Sequence, residues 1–182
     1  MRSKIVVAGI LAAAFSAMQA PALAADMTPF GDAKVDMHKY KAINRVYDVS
    51  YDDPKKLNAL VGFIKNVNAV VPGKAVVVLH GAEIRAFAKE NYEKYQGVID
   101  QLAALTKEGV EFRMCNNAMH GAGFEAKDID GFVTVIPAGF AEVIDLQQKG
   151  YKVIDASVSP VKDSRFIDHP ELKAQPAAQP KS

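Results

Sequence analysis

Lys74-Ala75-Val76-Val77-Val78-Leu79-His80-Gly81 carries five consecutive apolar residues between a lysine and a histidine. A strand with one wet face alternates polar and apolar positions. An unbroken, β-branched run of this length instead fits a strand covered on both faces, as in a parallel sheet. Upstream, Pro72-Gly73 stops the preceding segment. Before it, Leu57, Leu60, Val61, Ile64 and Val67 mark one helical face. Asp53-Pro54 supplies that helix with an N-cap and a first-turn proline. Earlier still, Arg45-Val46-Tyr47-Asp48-Val49-Ser50 alternates as a strand does.

Downstream the same punctuation repeats. His80-Gly81 opens an irregular or short helical segment. A helix follows over residues 91–108, striped by Tyr95, Val98, Ile99, Leu102 and Leu105 and stopped by Gly109. Val110 to Met114 reads as a strand, and Phe132 to Ile136 as another, ended by Pro137. Residues 138–149 read as a helix with Phe140, Val143, Ile144 and Leu146 apolar, stopped by Gly150. Tyr151 to Ile154 is the last strand. Strands separated by helices require crossover connections, and right-handed crossovers place helices on both faces. The expected fold is therefore a three-layer α/β/α domain with a mainly parallel sheet of about five strands, spanning residues 44–163.

The flanks read differently. Met1-Arg2-Ser3-Lys4 is a short basic region, Ile5 to Met18 an Ala-rich apolar run, and Ala22-Leu23-Ala24 a small-residue cleavage box. This three-part pattern predicts a secretory signal peptide over residues 1–24, with export to the periplasm in a Gram-negative bacterium. The apolar run is shorter than the roughly 20 residues a spanning helix needs, so no membrane association is expected after cleavage. Residues 25–43 read as an irregular arm. Residues 164–182, with Pro170, Pro176 and Pro180 among Ala, Gln and Lys, read as a disordered tail.

Composition excludes several classes of function. In 182 residues, 22 basic side chains nearly balance 21 acidic ones. Nothing in that balance attracts nucleic acid. Tryptophan is absent, which argues against a stacking platform for single strands. There is no GxGxxG, no GxxxxGK[ST] and no GxSxG, so nucleotide cradles and the serine-hydrolase elbow are missing. No cofactor and no dedicated metal site are expected.

In such sheets ligands bind outside the carboxyl ends of the strands. Three stretches fall there: His80, Cys115 with its neighbours, and Pro137-Ala138-Gly139. Cys115 is the only cysteine, so it forms no internal disulfide. It sits where a strand gives way to a turn or helix, whose unpaired N–H groups favour thiolate. Arg113 shares a sheet face with it by alternation. Asn116 and Asn117 bring amide hydrogen bonds, and His120 a base or acid. Glu83 is a candidate to orient His80. Cys115, Met119, His120 and His80 also raise soft-metal binding such as Cu(I), although their spacing matches no dense metal signature.

At these residues the chain resembles the DsrE/DsrF-like family. The matching features are Val76-Val77-Val78-Leu79-His80-Gly81, the helix and strand from Leu102 to Phe112, and Cys115-Asn116-Asn117-Ala118-Met119. Val135-Ile136-Pro137-Ala138-Gly139 and Leu146-Gln147-Gln148-Lys149-Gly150-Tyr151 complete the set. The resemblance covers about Arg45 to Ile154. It implies a three-layer α/β/α fold that commonly forms homo-oligomers. It also implies a kinship with cytoplasmic sulfur carriers whose cysteine holds a persulfide. Cys115 stands at that cysteine position, with His80, Arg113, Asn116, Asn117, His120 and Gly139 as expected binding residues. The implied partner is a small sulfur compound or a sulfur-donor or acceptor protein. Two other readings stand beside it: a non-catalytic module for a small ligand or copper, and an oligomeric assembly subunit.

Overall fold

The computed structural model describes residues 32–156 and Pro170. The expected signal peptide, and the expected tail apart from Pro170, lie outside the described residues. The chain divides into two units, Met1–Met37 and His38–Ser182. In the first, residues 32–37 are exposed and carry no helix or strand.

The second unit is built on five strands: β1 (Arg45–Val49), β2 (Ala75–Leu79), β3 (Val110–Cys115), β4 (Val133–Ile136) and β5 (Lys152–Asp155). Their spatial order is β4-β3-β2-β1-β5, and every pairing is parallel. Four α-helices join them: α1 (Leu57–Val70), α2 (Tyr92–Lys107), α3 (Asn116–Gly121) and α4 (Gly139–Gln148). Short 3-10 turns occupy Pro54–Lys56, Ala82–Phe87, Lys89–Asn91 and Ala126–Asp128.

The layering follows from the strand order. From β1 to β4 the chain steps one way across the sheet, then it reverses to reach β5 beyond β1. Right-handed crossovers running in opposite directions put their helices on opposite faces. Thus α1 and α2 cover one face and α4 the other. All five residues of β2 are buried, as its unbroken apolar run requires. Tyr47, Val49, Val77, Leu79, Phe112 and Met114 point toward α1 and α2, where Leu57, Leu60, Ile64, Leu102 and Leu105 meet them. Val46, Val76 and Val78 point the other way, toward Val143 and Leu146 of α4.

The apolar stripe read on the last helix is only half used. Val143 and Leu146 reach the sheet, whereas Phe140 is 69% and Ile144 56% exposed. One helix crossing one face makes a narrow contact, so apolar residues flanking that line stay outside it. Asp53 caps the first turn as expected, its side chain accepting the Lys55 N–H at 2.9 Å.

Candidate functional site

The carboxyl edge of the sheet brings three strand ends to one place. Leu79 pairs with Met114, so His80 and Cys115 are the next residues on neighbouring strands. Cys115 in turn pairs with Ile136, just before the turn that enters α4. Adjacent strands run roughly 4.8 Å apart, so the backbones of His80 and Cys115 stand side by side. Alternation puts Asp48, His80, Arg113 and Cys115 on the α4 face.

Cys115 closes β3 and is the N-cap of α3, with extended backbone. Its Sγ accepts the Ala118 N–H at 3.5 Å. The sulfur thus takes the place of the hydroxyl or carboxylate oxygen that usually caps a helix. Residue exposure of Cys115 is 7%, so the thiol is a free and nearly enclosed group. A negative sulfur here gains from the N–H groups that the start of α3 leaves unpaired.

His80 is fixed from two sides. Its Nε2 lies 2.5 Å from Asp48 Oδ1. Its ring also packs on Phe140, with centroids 4.6 Å apart. Gly139 makes that packing possible, because a Cβ there would stand 3.0 Å from His80 Cβ. When Nε2 carries the hydrogen and donates to Asp48, Nδ1 remains an acceptor. No hydrogen bond joins His80 to Cys115 among the described residues.

Asp48 is a partner that the sequence reading did not assign to the site. Its relation to His80 depends on the lateral register Asp48↔Val78, which places it diagonally opposite. The only sequence signal was an acid inside a strand. Glu83 was the candidate orienter, but it does other work. Fully buried, it accepts from Tyr51 N at 2.7 Å and Gly81 N at 2.9 Å, closing the turn after β2. Burial pushes its carboxyl above the usual carboxylate range, against the pull of those backbone N–H groups.

The other expected residues are spread out. Arg113 donates to Glu111 and to Glu142 of α4, so its guanidinium is committed to carboxylates. Asn116 is half-buried, while Asn117 and His120 are exposed on α3. Met119 is buried in the core beneath α3. Among the described residues, no three His, Cys, Asp or Glu side chains gather as a metal site. Nor is any helix among them long and apolar enough to cross a membrane.

Comparison with known proteins agrees with this architecture. Among solved structures, a protein of unknown function, MTH1491 from Methanobacterium thermoautotrophicum, is similar with a TM-score of 0.54 and 21% identity. The match covers 62% of this chain and 98% of that chain, and it speaks to the fold. No curated protein matches the chain. A family model covers residues 41–156, which include the whole sheet, all four helices and the Cys115 edge. On that match the chain belongs to the DsrE/DsrF-like family.

Proposed function

We propose that this protein handles sulfur by carrying sulfane sulfur as a persulfide on Cys115. The observation that carries the reading is the capping geometry: Cys115 Sγ faces the Ala118 N–H at the carboxyl edge of a parallel sheet. Membership of a family associated with sulfur relay supports it.

The transfer balances without an added oxidant. The Cys115 thiolate attacks the outer sulfur of a donor persulfide or of thiosulfate. The new S–S bond leaves Cys115 as an anionic persulfide, and the donor departs as thiolate or sulfite. An acceptor thiolate then attacks the terminal sulfur and regenerates the Cys115 thiolate. Rate depends on the thiolate fraction and on access. The nearly enclosed thiol suits a small donor. His80, held by Asp48, stands beside it on the next strand to take or return a proton. Arg113 supports the α4 layer rather than the sulfur. The basic, apolar and small-residue pattern of residues 1–24 supports a periplasmic location for this activity.

Mass spectrometry after exposure to thiosulfate or polysulfide tests the reading. The expected product gains one sulfur atom on Cys115, and Cys115→Ser gains none. An unmodified Cys115, in a mixture where a control carrier is loaded, overturns it. N-terminal sequencing of the protein from a periplasmic fraction tests the location.

A further inference from the structure

An open groove of about 480 Å³ lies between the start of α1 and the first half of α2, on the face opposite α4, with Lys55, Asn58, Lys94, Gly97 and Gln101 exposed along it. Its size falls within the roughly 300–1,000 Å³ of small-molecule sites. Two of its lining residues are Lys55 and Lys94, and none is acidic. In a chain with almost equal numbers of acids and bases, this local imbalance is a feature of the site. Neither ammonium forms an ion pair among the described residues; Lys94 Nζ lies 5.2 Å from the Tyr95 ring centroid instead. Three neighbouring acids are engaged elsewhere, while Glu93, next to Lys94, is exposed. Asp52 holds Lys56, Asp53 caps the turn, and Asp100 accepts from Tyr92.

The remaining lining is chemically specific. Pro54, Tyr95 and Val98 give an apolar wall. Asn58 donates its amide to Lys55 O at 3.1 Å, and Gln101 donates to Gly97 O at 2.8 Å. Neither side-chain oxygen is used in these bonds, so both remain as acceptors. Gly97 lies inside α2, where glycine weakens a helix. A Cβ built there meets nothing within 4 Å, so the fold's own packing does not demand glycine. Its lack of a side chain keeps the groove open.

We infer that this groove binds a hydroxylated aromatic carboxylate. The lysines take the carboxylate, Tyr95 and its apolar neighbours take the ring, and Asn58 or Gln101 accepts from the hydroxyl. The site is separate from Cys115.

The probe is 4-hydroxybenzoate, titrated into the ¹⁵N-labelled protein and followed by NMR. Saturable shifts are expected at residues lining the groove, and Cys115→Ser should leave them unchanged. The double variant Lys55→Gln/Lys94→Gln should weaken binding by about fivefold or more. The neutral 4-hydroxybenzyl alcohol should bind weaker than the acid by a similar factor. Gly97→Leu should raise thermal stability yet abolish binding, which separates a filled groove from a misfolded chain. Absence of saturable shifts at millimolar probe overturns the inference. So does equal binding by the double lysine variant, or equal binding of the neutral alcohol.

Discussion

Tyr51 holds two distant parts of the chain together. It is 5% exposed, and its hydroxyl donates to Ala156 O at 2.5 Å, just after β5. Burial, followed by the nearby charges of Glu83 and Asp155, pushes its pKa up from 10.0 to about 12. The folded protein therefore holds this proton more tightly than the unfolded chain. The resulting stability is complete below pH 10 and is lost as pH rises toward 12. Tyr51→Phe leaves the buried Ala156 carbonyl without its donor, at a cost of about 1–3 kcal/mol. Urea denaturation should show that loss below pH 10 and a shallower further decline between pH 10 and 12 than in the wild type. Parallel pH profiles would show that Tyr51 does not carry the linkage. Such pairings were invisible in the sequence because Tyr51 and Ala156 are joined only by the closing of the sheet. Cys115 and His80 were legible, since a residue at a strand's carboxyl end is placed by local pattern alone. Asp48 was not, because its meaning depends on the register between β1 and β2.

Among the elements, α4 is the one whose behaviour departs most from its pattern. Phe140, Val143, Ile144 and Leu146 are its apolar positions, but only Gly139, Val143 and Leu146 are buried. What adds to this thin contact is polar: Glu142 of α4 accepts from Arg113 of β3. The Arg113 side chain is 23% and that of Glu142 16% exposed, so the pair is shielded but not sealed. Its expected coupling is about 1 kcal/mol, above that of a solvated surface pair. A double-mutant cycle with Arg113→Met and Glu142→Gln measures it by denaturation. A coupling near zero would detach α4 from this support. In the same variants, Cys115 sulfur loading should change less than stability does. A collapse of loading in a stably folded Arg113→Met would instead give the guanidinium a direct role at the sulfur. The five strands and helices α2 and α4 were readable to within a residue or two, because each is bounded by Pro, Gly or a cap, whereas the short α3 carries no such signal and was open between turn and helix. Which helix faces bury depends on how many helices share a sheet face, and that is a property of topology.

At the scale of the whole molecule the two helical layers are unequal. The α1 and α2 side joins residues from all four inner and outer strands of the β1–β4 set in one large cluster. On the α4 side the apolar cluster is small, made of Val46, Val76, Val78, Val143 and Leu146, with Tyr151 packed against them. Buried apolar area is the main resistance to local opening, so the thinner layer should open at lower free energy. The candidate site lies on that side, with His80 packed between Asp48 and the start of α4. Opening of α4 would uncover the His80 edge next to Cys115 while β2 and β3 stay paired. Hydrogen exchange read by mass spectrometry should therefore show weaker protection in Gly139–Gln148 than in Leu57–Val70 or Tyr92–Lys107. Val143→Ala should widen that difference and quicken alkylation of Cys115, with α1 and α2 unchanged. Equal protection of the three helices would mean that the small cluster opens only with global unfolding, and access to the thiol would then have to come through the native surface.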